Sequence, residues 1–497
     1  MAGKNKVIEN SVLYTFSALL VKAVSFLLLP IYTRFLTPED YGITNLAFGF
    51  IEVATYIVAF SLYSAVVRFY SDYRDDSEKL RRFYGTAVTF LSLSSVVFLV
   101  LGIIFNKVII SWFFEGIAFY PVVLIILLTM TFFSLHVMHQ SILQGLQNGR
   151  KLTIINLTVF GFQVSLNLLL VVFFSLGAVG VLLSSLIINV GYSVFMVYDL
   201  RKSRLITFCI DRALLKEALA YSVPIMPHNL STVIASFASR VFINNSGSLS
   251  AVGLYGVATQ FAMLIDTVQS AVNQAFAPWF YEMMKSEDEV SRVDVVSLSR
   301  FLLIAYSLLY MCIGLFSQEM IIIMASKKYV MAWTTIPILV VAFSVKSIYY
   351  FYVNILFYYK DASRKIFIAT ILGSFADIMI AFELVPRYGM YGAAVSFLIA
   401  KIAVVTIVVF MSRKYRNIGY RIPDMLRTLI PSLLFMGAGL YFSYTRYLTE
   451  FNWMNLLYKM AVLAAYLLFV YLINREMIDS ILKSGKLQQI LRKRGAS

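Results

Sequence analysis

The chain has 497 residues, 60% of them hydrophobic and 14% charged, and its 42 Lys and Arg against 26 Asp and Glu give a formal net charge of +16 at pH 7. That much apolar surface excludes a soluble globular protein and points to a polytopic membrane protein. In such a chain excess basic charge reads as membrane topology, not as nucleic-acid binding.

A helix needs about 20 apolar residues to cross the hydrocarbon. On that measure the chain predicts an all-α protein of about 14 spans, at 8–33, 42–67, 83–105, 118–143, 153–175, 178–198, 217–243, 250–281, 298–324, 332–358, 366–385, 390–411, 426–445 and 453–473. Val7 to Pro30 is too long for a signal core and lacks a small-residue cleavage site, so the first span is expected to stay in the mature protein. Lys and Arg accumulate on the cytoplasmic side of short loops. Thirty of them fall on the side of the N-terminus, in loops that include Arg81, Arg201, Lys365 and Arg413, against seven on the other, among them Arg34, Lys107 and Arg387. The imbalance predicts an even number of spans with both termini in the cytoplasm. Beyond the last span, Ile478, Ile481, Leu482, Ile490 and Leu491 gather on one side of a basic segment, as in an amphipathic helix on the inner leaflet.

Cys209 falls in a loop and Cys312 in a span, so no disulfide is expected, and the three His form no loop cluster that would hold a metal. His136 and His139 lie one turn apart in the fourth span; such a pair usually bridges helices, and otherwise ligates a metal or relays protons. There is no Gly-x4-Gly-Lys-[Ser/Thr] loop and no insertion large enough for a nucleotide-binding domain. Any pumping would then draw on an ion gradient or the membrane potential, with H+ or Na+ as the coupling ion and no other cofactor. The short loops also argue against a membrane enzyme.

The pattern repeats at a nearly constant offset. Tyr41-Gly42 recurs as Tyr255-Gly256 and Gly149-Arg150-Lys151 as Ser363-Arg364-Lys365, each 214 positions on, and Gly177-Ala178-Val179-Gly180 recurs as Gly389-Met390-Tyr391-Gly392 after 212. Such self-similarity marks two homologous halves, and in secondary transporters the substrate path runs between them. Six spans apiece assign 1–205 to an N-terminal lobe and 206–415 to a C-terminal lobe, followed by two extra spans (416–475) and the basic tail (476–497).

Pro30-Ile31-Tyr32-Thr33-Arg34-Phe35-Leu36-Thr37-Pro38-Glu39-Asp40-Tyr41-Gly42 resembles the segment that closes the first span in the polysaccharide and oligosaccharide-lipid flippases of the multidrug/oligosaccharidyl-lipid/polysaccharide (MOP) superfamily. Pro224-Ile225-Met226-Pro227-His228-Asn229 resembles the start of their second lobe. The resemblance covers nearly the whole chain, including the layout of six, six and two spans. It implies a substrate, an O-antigen, capsule or exopolysaccharide repeat unit on undecaprenyl pyrophosphate, moved by alternating access across the bacterial cytoplasmic membrane. It implies no enzymatic activity, a monomer in contact with membrane lipids, and a polysaccharide polymerase or glycosyltransferase as candidate partner. The nearest alternative is a cation-coupled multidrug exporter of the same superfamily, which needs an acidic cavity; a membrane scaffold or a sugar transferase is more distant.

An intramembrane charge is expensive and normally faces protein or a wet cavity. Lys22, Lys346 and Lys401, each central in its span, are therefore candidates for a pyrophosphate-binding cavity, with pairing to a carboxylate, such as Glu52 for Lys22, as the alternative. Arg34 can meet an emerging phosphate through its guanidinium fork or anchor to headgroups. Arg240 is a further cavity candidate, although it lies near a span end like Arg68 and Lys459, where snorkelling to the interface is the cheaper role. Glu52, Asp266 and Asp377 are placed well inside spans and are candidates for ion coupling or for neutralising a lysine. Pro224 and Pro227 interrupt the seventh span, as a hinge or as a kink tolerated by packing. Asn156, Gln163 and Asn167 share one face of the fifth span, a polar stripe for sugars or for neighbouring helices.

Overall fold

Hydrocarbon offers no hydrogen bonds, so a segment that crosses it must satisfy its own N–H and C=O groups, which a helix does. The structure, a computed structural model, describes residues 17, 19–285 and 289–483, the side chains of 290 and 476–483 excepted, and the described residues are helices joined by short turns with no strand among them. The apolar face expected of the tail from 476 onward lies outside the described side chains.

Local chemistry sets the helix ends. The first span changes direction between α1 (19–27) and α2 (Leu29–Phe35), which has Pro30 in its first turn. Thr37 opens α3 (Pro38–Val58) with a capping box, its hydroxyl accepting from the Asp40 N–H while the Asp40 carboxylate accepts from the Thr37 N–H. The second span, expected as 42–67, is two helices. Phe60 and Ser61 sit at φ 49° and 54°, a left-handed conformation that cannot continue a right-handed helix, and α4 (Leu62–Tyr73) starts afresh beyond them. There follow α5 (Ser77–Ile104), α6 (Asn106–Phe113), α7 (Leu124–Gly145), α8 (Gly149–Asn167) and α9 (Gly177–Lys202). The second half begins with α10 (Arg212–Ser246) and α11 (Leu249–Lys285), continues through α12 (Glu289–Leu315), α13 (Ser317–Met324), α14 (Ile336–Tyr358), the short α15 (Lys360–Ser363) and α16 (Ile366–Arg413), and ends with α17 (Ile422–Thr445) and α18 (Trp453–Lys483).

Eleven of the described helices are long and apolar enough to cross a membrane. The expectation of about 14 differs for three physical reasons. Residues 360–413 count once, although Gly389, at φ 55° and ψ −131°, breaks α16 into two legs. α10 is not among the eleven, its hydropathy lowered by the segment around Pro224, Pro227, His228 and Asn229. The first span lies partly outside the described residues.

Glycine makes the central crossing possible. A Cβ added at Gly42 of α3 would lie 1.9 Å from the Leu249 carbonyl oxygen of α11, and one at Gly253 of α11 would lie 1.9 Å from the Pro38 carbonyl oxygen. One at Gly256 would come within 2.6 Å of Asn45 Nδ2. Only residues without a Cβ let two helix backbones approach this closely. The Tyr41 hydroxyl, donating to Gln260 Oε1 at 2.6 Å, locks the same crossing. Around it, Ser326 N–H donates to Thr33 Oγ1 (3.4 Å) and Tyr329 OH to the Leu36 carbonyl (3.1 Å), joining α2 to the 327–335 turn on the face that carries few basic residues. On the basic face, Tyr73 OH donates to Glu217 Oε2 at 2.8 Å and Arg82 to Asp211 at 2.7 Å.

The other repeated glycines are conformational. Gly177 and Gly389 both adopt positive φ, 54° and 55°, at the turn between the fifth and sixth spans of each half, and the glycine three positions later packs under a carbonyl of the preceding segment: Gly180 under Leu170 and Gly392 under Leu384. The repeat is thus a repeated geometry, written in the one residue that permits it.

Lys459 corrects an expectation. It does not snorkel: its side chain is fully buried between α18 and α13, with Nζ 2.7 and 2.8 Å from the two Glu319 carboxylate oxygens and 3.3 Å from Gln318 Oε1. The pair straps the last span to the body of the protein. Removing one partner of such a pair costs about 3–5 kcal/mol, whereas replacing both with apolar residues is often neutral. Lys459→Met is therefore expected to lower the melting temperature in detergent sharply, and Lys459→Met with Glu319→Leu to restore most of it. For the crossing, Gly253→Ala should destabilise by about 1–3 kcal/mol through overpacking, while Gly161→Ala and Gly437→Ala, with no atom within 4 Å of the added carbon, should show no clash; equal losses at all three sites would contradict the close crossing.

Candidate functional site

Two polar cavities flank the crossing. The first, of about 980 Å3, lies in the first half of the chain between α1, α2, α3, α7, α8 and α9. Lys22 lines it from α1. The partner considered for it, Glu52, is not there: Glu52 is exposed on α3 and its charged neighbour is Arg240. Asn156, Gln163 and Asn167 line the same cavity, so the polar stripe of α8 faces inward. It is also tied to the walls. Gln140 Nε2 donates to Asn156 Oδ1 at 2.9 Å, Gln163 Nε2 to Ser184 Oγ at 2.6 Å and Asn167 Oδ1 at 3.2 Å, and Asn167 Nδ2 to Tyr32 OH at 3.2 Å.

His136 and His139 take the helix-bridging role. His136 Nδ1 lies 2.9 Å from Asn189 Oδ1, and its ring stacks on Tyr192 at 3.6 Å. His139 bonds Tyr192 OH at 2.9 Å and Asp199 Oδ2 at 3.1 Å, and Asp199 in turn holds Lys151 at 2.6 Å. Among the described residues no three His, Cys, Asp or Glu gather where a metal would be held.

The second cavity, of about 500 Å3, lies between α10, α11, α14 and both legs of α16, and it gathers charge. Arg240, Lys346, Lys401 and Asp377 all line it. Lys346 Nζ sits 2.5 Å from Asp266 Oδ1, which also accepts from Tyr350 OH at 3.4 Å, and the two charged side chains are 23% and 27% exposed. That partial exposure separates this pair from the sealed Lys459–Glu319 strap. Lys401 packs 4.5 Å over the Phe397 ring, with Asp377 and Asp266 as attractive neighbours and Lys346 as a repulsive one. Arg240 Nε and Asp377 Oδ1 are buried and have no hydrogen-bond partner among the described residues.

The remaining candidates lie elsewhere. Arg34 is exposed in the last turn of α2 and lines neither cavity, and Pro224 and Pro227 sit inside α10, which stays helical through both. Arg68 pairs at the surface with Asp72, whose carboxyl the Arg68 hydrogen bond holds below its ordinary range. Residue types alone missed Asn45, Gln140, Gln144 and Asn189, which complete the amide wall of the first cavity.

Residues 7–284 match the family described as polysaccharide biosynthesis protein. The chain is 25% identical over 421 residues to an Lsg locus protein of Haemophilus influenzae, covering 82% of this chain and 98% of that one. It is 24% identical over 357 residues to an uncharacterized membrane protein of the same organism, covering 71% and 84%. Its fold is similar to that of the lipid II flippase MurJ in an inward closed conformation, with a TM-score of 0.66 at 18% identity over 95% of this chain and all of that one. It is also similar to an inward-facing multidrug resistance MATE family transporter of the MOP superfamily, with a TM-score of 0.61 at 17% identity over 79% and 94%. The chain is a multi-pass membrane protein with the MOP-superfamily fold, and it belongs to the polysaccharide biosynthesis protein family.

Proposed function

We propose that this protein is a flippase that carries an oligosaccharide repeat unit, linked to undecaprenyl pyrophosphate, across the bacterial cytoplasmic membrane by alternating access. The supporting observation is the charge of the second cavity, whose lining carries Arg240, Lys346 and Lys401 against one carboxylate, Asp377. An excess of cations suits an anionic head, whereas a cation-coupled drug exporter calls for the opposite sign. Coulomb attraction is several-fold stronger in such a partly desolvated site than in water.

The chemistry of the site follows from the pairing. Asp266 holds Lys346 in place without sealing it, so a pyrophosphate oxygen competes for a preorganised ammonium. Arg240, with an unpartnered Nε, offers a planar fork that matches two phosphate oxygens. Asp377, with an unpartnered Oδ1 in the same cavity, is the favoured site for a coupling H+ or Na+, ahead of Asp266 and Glu52. The polyprenyl tail remains in lipid while the head passes. In this reading the basic loops and both termini face the cytoplasm, the protein works as a monomer beside the polymerase or glycosyltransferases that make and use the repeat unit, and it catalyses no covalent step.

Replacing Lys346 and Lys401 together by Ala is expected to cut outer-leaflet display of the lipid-linked oligosaccharide at least tenfold in a deletion host, read with an impermeant label at matched protein level. Full display by the double variant would contradict the proposal.

A further inference from the structure

The two cavities are copies of one site. At the 214-residue offset of the repeat, Lys22, Tyr41, Asn45, Asn156 and Gln163 of the first correspond to Ser236, Tyr255, Thr259, Thr370 and Asp377 of the second, and every one of these residues lines its cavity. At 212, the offset of the repeated glycines, Asn189 corresponds to Lys401, and at 214 His136 corresponds to Tyr350; again all four line their cavities. The correspondence shows what has diverged. Where the second cavity places Lys401 and Asp377, the first places Asn189 and Gln163.

The first cavity is thus rich in amides where the second is rich in charge. Seven Asn and Gln side chains line it, Lys22 is its one charged lining residue among the described residues, and no carboxylate lines it. An ammonium only donates hydrogen bonds and a carboxylate only accepts them, but a carboxamide presents both functions side by side. That is the complement of a sugar hydroxyl, which also donates and accepts. The amides keep capacity after bonding one another: among the described residues, Gln140 and Gln163 donate through Nε2 and leave Oε1 unused, Asn156 accepts through Oδ1 and leaves Nδ2 unused, and the Gln144 side chain makes no hydrogen bond. At about 980 Å3 this cavity is also the larger of the two.

We propose that the first cavity is a carbohydrate subsite, taking the neutral sugars of the head while the second takes the pyrophosphate. This rests on the flippase reading above, and it assigns to the first half of the chain the selection of which repeat unit is carried.

The test uses the full-length protein in nanodiscs and two probes, undecaprenyl pyrophosphate bare and the same lipid bearing the oligosaccharide extracted from the producing strain. Wild-type protein is expected to bind the glycosylated lipid at least tenfold more tightly than the bare one. Gln144→Leu, which breaks no hydrogen bond among the described residues, and Asn156→Leu with Gln163→Leu should each reduce that preference at least threefold while leaving affinity for the bare lipid unchanged. Lys346→Met with Lys401→Met should weaken both probes together. An undiminished preference in the amide variants, or equal loss of both probes, would overturn the carbohydrate assignment and leave the flippase reading intact. If wild-type protein binds neither probe above plain phospholipid, the flippase reading itself is overturned and this assignment falls with it.

Discussion

The close crossing of α3 and α11 is the constraint on which the rest depends. Gly42, Gly253 and Gly256 remove the side chains that would hold the two backbones apart, and van der Waals contact replaces a hydrophobic driving force that lipid cannot supply. Each crossing helix then turns a repeated tyrosine to its own side, Tyr41 to the first cavity and Tyr255 to the second. A looser crossing would merge the two cavities into one, and the separation of amides from charges would disappear. The contacts of α2 with the 327–335 turn and of Tyr73 with Glu217 lie on opposite faces of this crossing, which is the arrangement of a pivot.

Charges inside the membrane follow one rule with two outcomes. Each is compensated or set against a cavity, because an uncompensated charge in hydrocarbon is prohibitive. Lys459 with Glu319 is sealed, doubly bonded and structural. Lys346 with Asp266 is as closely paired but stands a quarter exposed, with two further cations lining the same cavity. A lysine–carboxylate pair is sealed from solvent in one place and open to a cavity in the other, and what separates them is access.

Much of this was legible in the sequence, for physical reasons. Hydropathy sees span length, so the helical fold followed from apolar runs, and the repeat was visible because Gly177 and Gly389 need positive φ and Gly42 and Gly256 need close approach. Central position in a span picked out Lys22, Lys346 and Lys401, all three of which line cavities. What failed was pairing. Depth along a helix does not say which neighbour a side chain meets, so it suggests snorkelling for Lys459 and offers Glu52 as the alternative partner of Lys22. The break at Phe60 and Ser61 carried no glycine or proline to announce it, and the split of polar groups between two cavities needs the helix crossing, which one-dimensional periodicity does not contain.

The central claim is that the two halves rock about the α3–α11 crossing. Distances between paired spin labels measure this directly, with Glu115 and Lys328 on the face with few basic residues and Lys79 and Lys360 on the basic face, all four exposed. On adding glycosylated undecaprenyl pyrophosphate to the protein in nanodiscs, the two distances are expected to shift in opposite senses. Distances that stay fixed, or that lengthen together, would contradict the account.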